Sequence, residues 1–156
     1  MCGIAGRFGP GPNQIVNQMV GVLAHRGPDD EHVVSGKNFA IGARRLSILD
    51  LPGGRQPIAN ETQTIWAAQN GEIYNFPALR KDLLERGHVL ETHCDTEVLP
   101  HLYEEHGAAF PKNIDGMFAV ALWDGDGQIG YLARDRTGKK PLYYCLHDHA
   151  LYFASE

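Results

Sequence analysis

Cysteine is scarce in this chain of 156 residues. Cys2, Cys94 and Cys145 are an odd number at unrelated spacings, which argues against a disulfide framework. Free thiols fit a reducing compartment, so a cytoplasmic location is expected. Lysine and arginine form no run of useful length, and the formal net charge is −5. Neither nucleic acid nor an anionic membrane surface is an expected partner for such a chain. The apolar runs are short and strand-like, MFAVALW at 117–123 among them, so no membrane-spanning helix is expected. The N-terminus lacks the basic region and long apolar stretch of a secretory signal. No CxxC or HExxH pattern occurs, and His101 and His106, five apart, fall on different faces of a helix. The eight histidines therefore read as solvated or core residues, and no metal is expected. The GKK at 138–140 lacks the upstream glycine of a GxxxxGK[ST] phosphate loop. Chemistry on a small molecule is what these absences leave.

What is present is ordinary globular composition: 43% hydrophobic and 21% charged, with 18 Gly and 9 Pro dispersed as turn residues. A chain of this size buries roughly 68–70% of its extended surface, enough for one domain over residues 1–156. GIAGRF reads as a first strand, and the apolar spacing of Ile15, Val16, Met19, Val20 and Leu23 predicts a helix over 13–24. Two strands flank Gly36-Lys37-Asn38, and TIWAAQNGEIYN reads as strand, turn, strand with Asn70-Gly71 in the turn. FPALRKDLLERG predicts a helix with Pro77 in its first turn and Gly87 as its stop. HVLET is expected as a short strand. A helix over about 95–106 follows, with Pro100 imposing a kink or a later start. GMFAVALWD and QIGYLARD pair across Gly125-Asp126-Gly127, and a last strand pair flanks His147-Asp148-His149. Antiparallel strands with a few amphipathic helices imply an α+β sandwich.

Four short stretches carry the candidate chemistry. If Met1 is removed, Cys2 becomes the first residue, and its α-amine, titrating near about 7.7–8.0, can take the thiol proton. Nucleophile and base then come from one residue; an incidental terminal thiol is the plain alternative. Asn70-Gly71 offers a side-chain amide beside a backbone N–H, a donor pair suited to an oxyanion, or else an ordinary hairpin turn. The RRLSILD stretch (44–50) offers an arginine fork for a carboxylate, or a surface ion pair. Asp95, where a helix begins, is either an N-cap or a partner for an ammonium group.

Taken singly, each of these is weak. In order, however, MCGIAG, HRGPDD (25–30), RRLSILD, QPI (56–58), NGEIYN (70–75), CDTEV (94–98), GMFAVALWD (116–124), ARDRTGKKPLYY (133–144) and FASE (153–156) span the whole chain. This order resembles class II glutamine amidotransferase domains, and most closely the N-terminal glutaminase domain of glutamine-hydrolysing asparagine synthetases. The resemblance implies an N-terminal-nucleophile hydrolase fold, a four-layer αββα sandwich of two mostly antiparallel sheets. It implies hydrolysis of L-glutamine to L-glutamate and ammonia through a Cys2 thioester. Asn70 and Gly71 would supply oxyanion donors, and Arg45 would hold the substrate α-carboxylate. Asp95 would pair with the α-ammonium. Glu72 and the backbone of the 45–49 segment, Leu46, Ile48 and Leu49 included, would complete the pocket. No cofactor is expected in this chain; ATP and Mg²⁺ would serve an ATP-dependent synthetase domain or subunit, the expected partner, whose nucleotide loop does not occur here. A homodimer is left open. Two departures stand out: Cys94 occupies a position more often Ser or Thr, and Pro100 interrupts a smooth helix. The rival readings are an amidotransferase with another ammonia acceptor and a non-catalytic scaffold or binding module of the same fold.

Overall fold

A computed structural model of the chain describes residues 2–46 and 54–156. The fully buried run Gly3–Phe8 forms β1 in the middle of a five-stranded sheet. Its companions are β2 (Asp30–Ser35), β3 (Phe39–Arg45), β8 (Tyr143–His147) and β9 (Ala150–Ala154), in the order β2-β3-β1-β9-β8. A second sheet, β4-β5-β6-β7, is built from β4 (Ile58–Ala59), β5 (Ile65–Ile73), β6 (Gly116–Asp124) and β7 (Ile129–Arg134). Every described strand pair is antiparallel. β1, β5 and β6 are covered on both faces, which is why their apolar residues run on rather than alternate.

Three clusters of buried side chains make the layers. Between the sheets, Ile4, Phe8, Ile41 and Phe153 of the first meet Ala68, Ala121 and Trp123 of the second. Aromatic rings dominate that seam, with Trp123 5.7 Å from Phe8 and 5.1 Å from Phe39. On the outside of the first sheet lies α1 (Asn13–Val22), whose buried face, Val16 and Val20, packs with Leu23 on Ala5 and Ala40. The second sheet is covered by α2 (Phe76–Glu85) and α3 (Val98–His106), through Leu83, Val98, Leu99 and Leu102. Helix, sheet, sheet, helix is the α+β layering the resemblance implies.

Two local expectations fail, each for a physical reason, and a third is met. β5 passes straight through Asn70-Gly71 without a turn, because Asn70 and Gly71 stand opposite Ala119 and Phe118 of β6 in an unbroken ladder. Residues 88–92 form no strand. Their backbone donors go to carboxylates instead: Val89 N–H to Glu61, and Glu91 and Thr92 N–H to the two oxygens of buried Glu97 at 2.7 and 2.8 Å. The 95–106 helix begins as a 3₁₀ turn at Asp95–Glu97, and α3 proper starts at Val98, so Pro100 sits in the first turn, where its missing N–H costs nothing. That is the later start which Pro100 demands.

Candidate active site

Cys2 stands immediately before β1, and the register Gly3↔Arg44 sets it beside the end of β3, where Arg45 and Leu46 follow. Its Sγ lies 4.0 Å from the carbonyl oxygen of Leu46. The HRGPDD turn is wedged against the same strand end: a Cβ on Gly27 would come within 2.5 Å of the Arg44 and Arg45 backbone, and Asp29 N–H donates to the Arg45 carbonyl. Only glycine allows that approach. The turn thereby delivers Arg26, whose Nε donates to the Cys2 carbonyl at 3.2 Å.

From the second sheet, β5 contributes Asn70, Gly71 and Glu72. The Asn70 amide is oriented by its neighbours, with Nδ2 donating to the Cys2 carbonyl at 2.9 Å and Oδ1 accepting from Arg26 Nη2 at 3.3 Å. One Asn70 N–H therefore positions the cysteine while the other stays available to a ligand. A side chain at Gly71 would collide with the Met117 carbonyl and the Phe118 Cα of β6, so β5 can carry nothing larger there.

Asp95 does not cap the helix it opens; the N-cap is Cys94, and no side chain caps that end. Instead Asp95 Oδ2 accepts the Ile73 N–H at 2.8 Å, tying the 3₁₀ turn to the end of β5. Gln56, beside the cis Gln56-Pro57 peptide, bridges the same two elements: Oε1 accepts the Gln69 N–H and Nε2 donates to Thr96 Oγ1. Asp135 organises a further wall. Its carboxylate accepts from the backbone of Phe118, Thr137, Lys139 and Lys140 and from the Thr137 hydroxyl. Burial raises its pKa, but those hydrogen bonds outweigh it and hold the group down at about 2. The 137–140 turn so fixed brings Lys140 to the site.

Cys2, Arg45, Leu46, Asn70, Gly71, Glu72 and Asp95 line one cavity of ≈ 80 Å³, together with Gln56, Cys94 and Lys140. Ile48 and Leu49 lie outside the described residues. Gln56, Lys140 and Arg26 carry no spacing signal of their own; the QPI, ARDRTGKKPLYY and HRGPDD motifs that contain them were the available sign. Two thiols face this cavity and they are not equivalent. Cys94 is 6% exposed, and burial pushes its thiol pKa up, which disfavours the thiolate. Cys2 is only partly covered.

Residues 1–156 match the family model described as the glutamine amidotransferase domain. The chain belongs to that family. Among curated relatives, it is 45% identical over 165 residues to glutamine-hydrolyzing asparagine synthetase 2 of Bacillus subtilis (strain 168), an alignment covering 100% of this chain and 22% of that protein. It is 40% identical over 136 residues to asparagine synthetase B of Escherichia coli (strain K12), covering 86% of this chain and 24% of that one. The amidotransferase domain thus spans about a quarter of the length of the curated relatives it matches. Among solved structures, glutamine phosphoribosylpyrophosphate amidotransferase from B. subtilis, complexed with ADP and GMP, superposes with a TM-score of 0.82 at 21% identity, over 99% of this chain and 42% of that one. That likeness establishes the fold, which is the N-terminal-nucleophile sandwich the motifs imply.

Proposed function

We propose that this amidotransferase domain hydrolyses the side-chain amide of L-glutamine and that the ammonia serves an asparagine-synthetase-like, ATP-dependent amidation on a partner domain or subunit. The observation that carries the reading is the convergence of Cys2, Arg45, Asn70, Gly71 and Asp95, from both sheets and a 3₁₀ turn, on one cavity.

Glutamine differs from glutamate only at its far end, so recognition has to hold both α-groups and leave the amide at a fixed reach from the nucleophile. Arg45 supplies a guanidinium for the α-carboxylate and Asp95 a carboxylate for the α-ammonium, which converts a bimolecular encounter into a positioned one. With Met1 removed, the α-amine of Cys2 accepts the thiol proton. Sγ then bonds to the amide carbon, and the developing oxyanion is met by the free Asn70 N–H and the Gly71 N–H. Collapse expels ammonia, protonated from the same amine, and leaves a thioester. Water activated by that amine adds to the thioester, Sγ departs, and glutamate and the free thiol are regenerated.

The test is glutamate release from glutamine by the purified chain, compared with Cys2→Ala and Cys94→Ala. Loss in the first and retention in the second support the assignment. Glutamate release that survives Cys2→Ala would remove the thiol from the mechanism.

A further inference from the structure

Outside the catalytic cavity, four side chains from three segments converge: Glu61 after β4, His88 after α2, and His101 and Glu104 on α3. The His–x–x–Glu spacing puts the last two on one helical face. One potential ligand atom from each residue lies within 4.8 Å of all the others. His101 Nδ1 is 3.1 Å from Glu104 Oε2 and 3.6 Å from Glu61 Oε2. His88 Nδ1 is 3.5 Å from Glu104 Oε2 and 3.9 Å from Glu61 Oε1. Ligands bound at about 2.0–2.2 Å in a tetrahedron stand roughly 3.3–3.6 Å from one another, and the observed separations straddle that spacing.

We propose that Glu61, His88, His101 and Glu104 form a four-coordinate structural site for a divalent cation of the Zn²⁺ class. Two imidazole nitrogens and two carboxylate oxygens are a donor set suited to such a borderline ion. The surrounding hydrogen bonds hold the ligands in place. His88 Nε2 is 3.0 Å from Glu105 Oε1, the carboxylate–histidine arrangement that fixes a metal-binding tautomer, and Arg86 donates to the other Glu105 oxygen at 2.9 Å. Asn60 Nδ2 donates to Glu104 Oε1 at 2.9 Å, and Val89 N–H to Glu61 Oε1 at 2.7 Å, which leaves Oε2 of Glu104 toward both histidines and Oε2 of Glu61 toward His101. His101 is 1% exposed, its Nε2 has no partner among the described residues, and all the polar contacts of the ring lie on the Nδ1 side, facing the cluster. A bound ion would pin the turn after β4 and the 88–92 segment to α3. Sequence spacing conceals this set, because it pairs His101 with His106, whereas the fold pairs it with His88, 5.0 Å away between ring centroids.

Metal-stripped protein titrated with Zn²⁺ by calorimetry, and with Co²⁺ followed by its visible absorption, tests the site. The expected result is one cation per chain, a tetrahedral Co²⁺ spectrum that Zn²⁺ abolishes, and a raised unfolding temperature with metal. Glu61→Gln and Glu104→Gln, both at exposed residues and so tolerated by the fold, should each weaken binding more than tenfold. Glu105→Gln should weaken it about 10–100-fold through His88. The double variant Cys2→Ala, Cys94→Ala should bind as the parent does. No binding, binding indifferent to Glu61→Gln and Glu104→Gln, or binding lost with the two thiols would each overturn the proposal; the first would leave the cluster as a histidine–carboxylate clasp.

Discussion

At the scale of single residues, the catalytic cavity divides into groups that hold a ligand and groups that develop chemistry. Arg45 belongs to the first kind. Replacing its planar fork by the point charge of lysine should raise KM for glutamine with little change in kcat, and steady-state kinetics on Arg45→Lys read this directly. An unchanged KM would take the carboxylate from Arg45. Asn70 belongs to both kinds, since it positions the Cys2 carbonyl and keeps a second N–H for the oxyanion. Asn70→Ala should lower kcat about 10²–10³-fold, the cost of one missing oxyanion donor. Wild-type kcat in that variant would remove Asn70 from the chemistry. These residues were legible in the sequence because reactive types stand in an ordered series of motifs. Gln56 and Lys140, which line the cavity, and Arg26, which holds Cys2 and Asn70, were not, because what places them is backbone from other elements: the Gln56 bridge to β5, the turn that Asp135 organises, and the Gly27 approach to β3.

At the scale of elements, the departures from the sequence reading share a cause. Asn-Gly and alternating apolar residues report what a segment prefers alone, while pairing and buried carboxylates decide what it does. β5 crosses Asn70-Gly71 unbent because it stays in register with β6 from Ile65 to Ile73, and the 88–92 segment stays irregular because Glu97 accepts the Glu91 and Thr92 N–H groups. Glu97 is 3% exposed, so its removal would strand two backbone donors and the Thr92 hydroxyl. Glu97→Ala should therefore destabilise the fold by about 2–4 kcal/mol, measured by chemical denaturation. A loss under about 0.5 kcal/mol would mean that water replaces the carboxylate. The helices, by contrast, were readable from period, proline and glycine alone, since α1 and α2 each bury a single apolar stripe.

At the scale of the whole molecule, the layering follows from which strands are covered twice, but the sequence does not say which sheet meets which helix. Trp123, Phe8, Phe39 and Phe153 settle it by filling the space between the sheets. Acid stability is a global property with a local source. Asp135 titrates at about 2 instead of 3.8, so its contribution is complete above the ordinary carboxylate range and is lost as the pH falls from about 4 through 2. Thermal unfolding of wild type should show that loss, and Asp135→Asn, less stable at neutral pH, should show a smaller dependence over the same window. Equal slopes would place the acid sensitivity elsewhere. The account as a whole depends on a sulfur nucleophile with its own amine as base. Intact-mass analysis of two preparations, one beginning at Cys2 and one retaining Met1, with glutamate release assayed on each, tests it most directly. Release by the Cys2-initiated form and none by the Met1 form is the predicted result; equal release by both would contradict it.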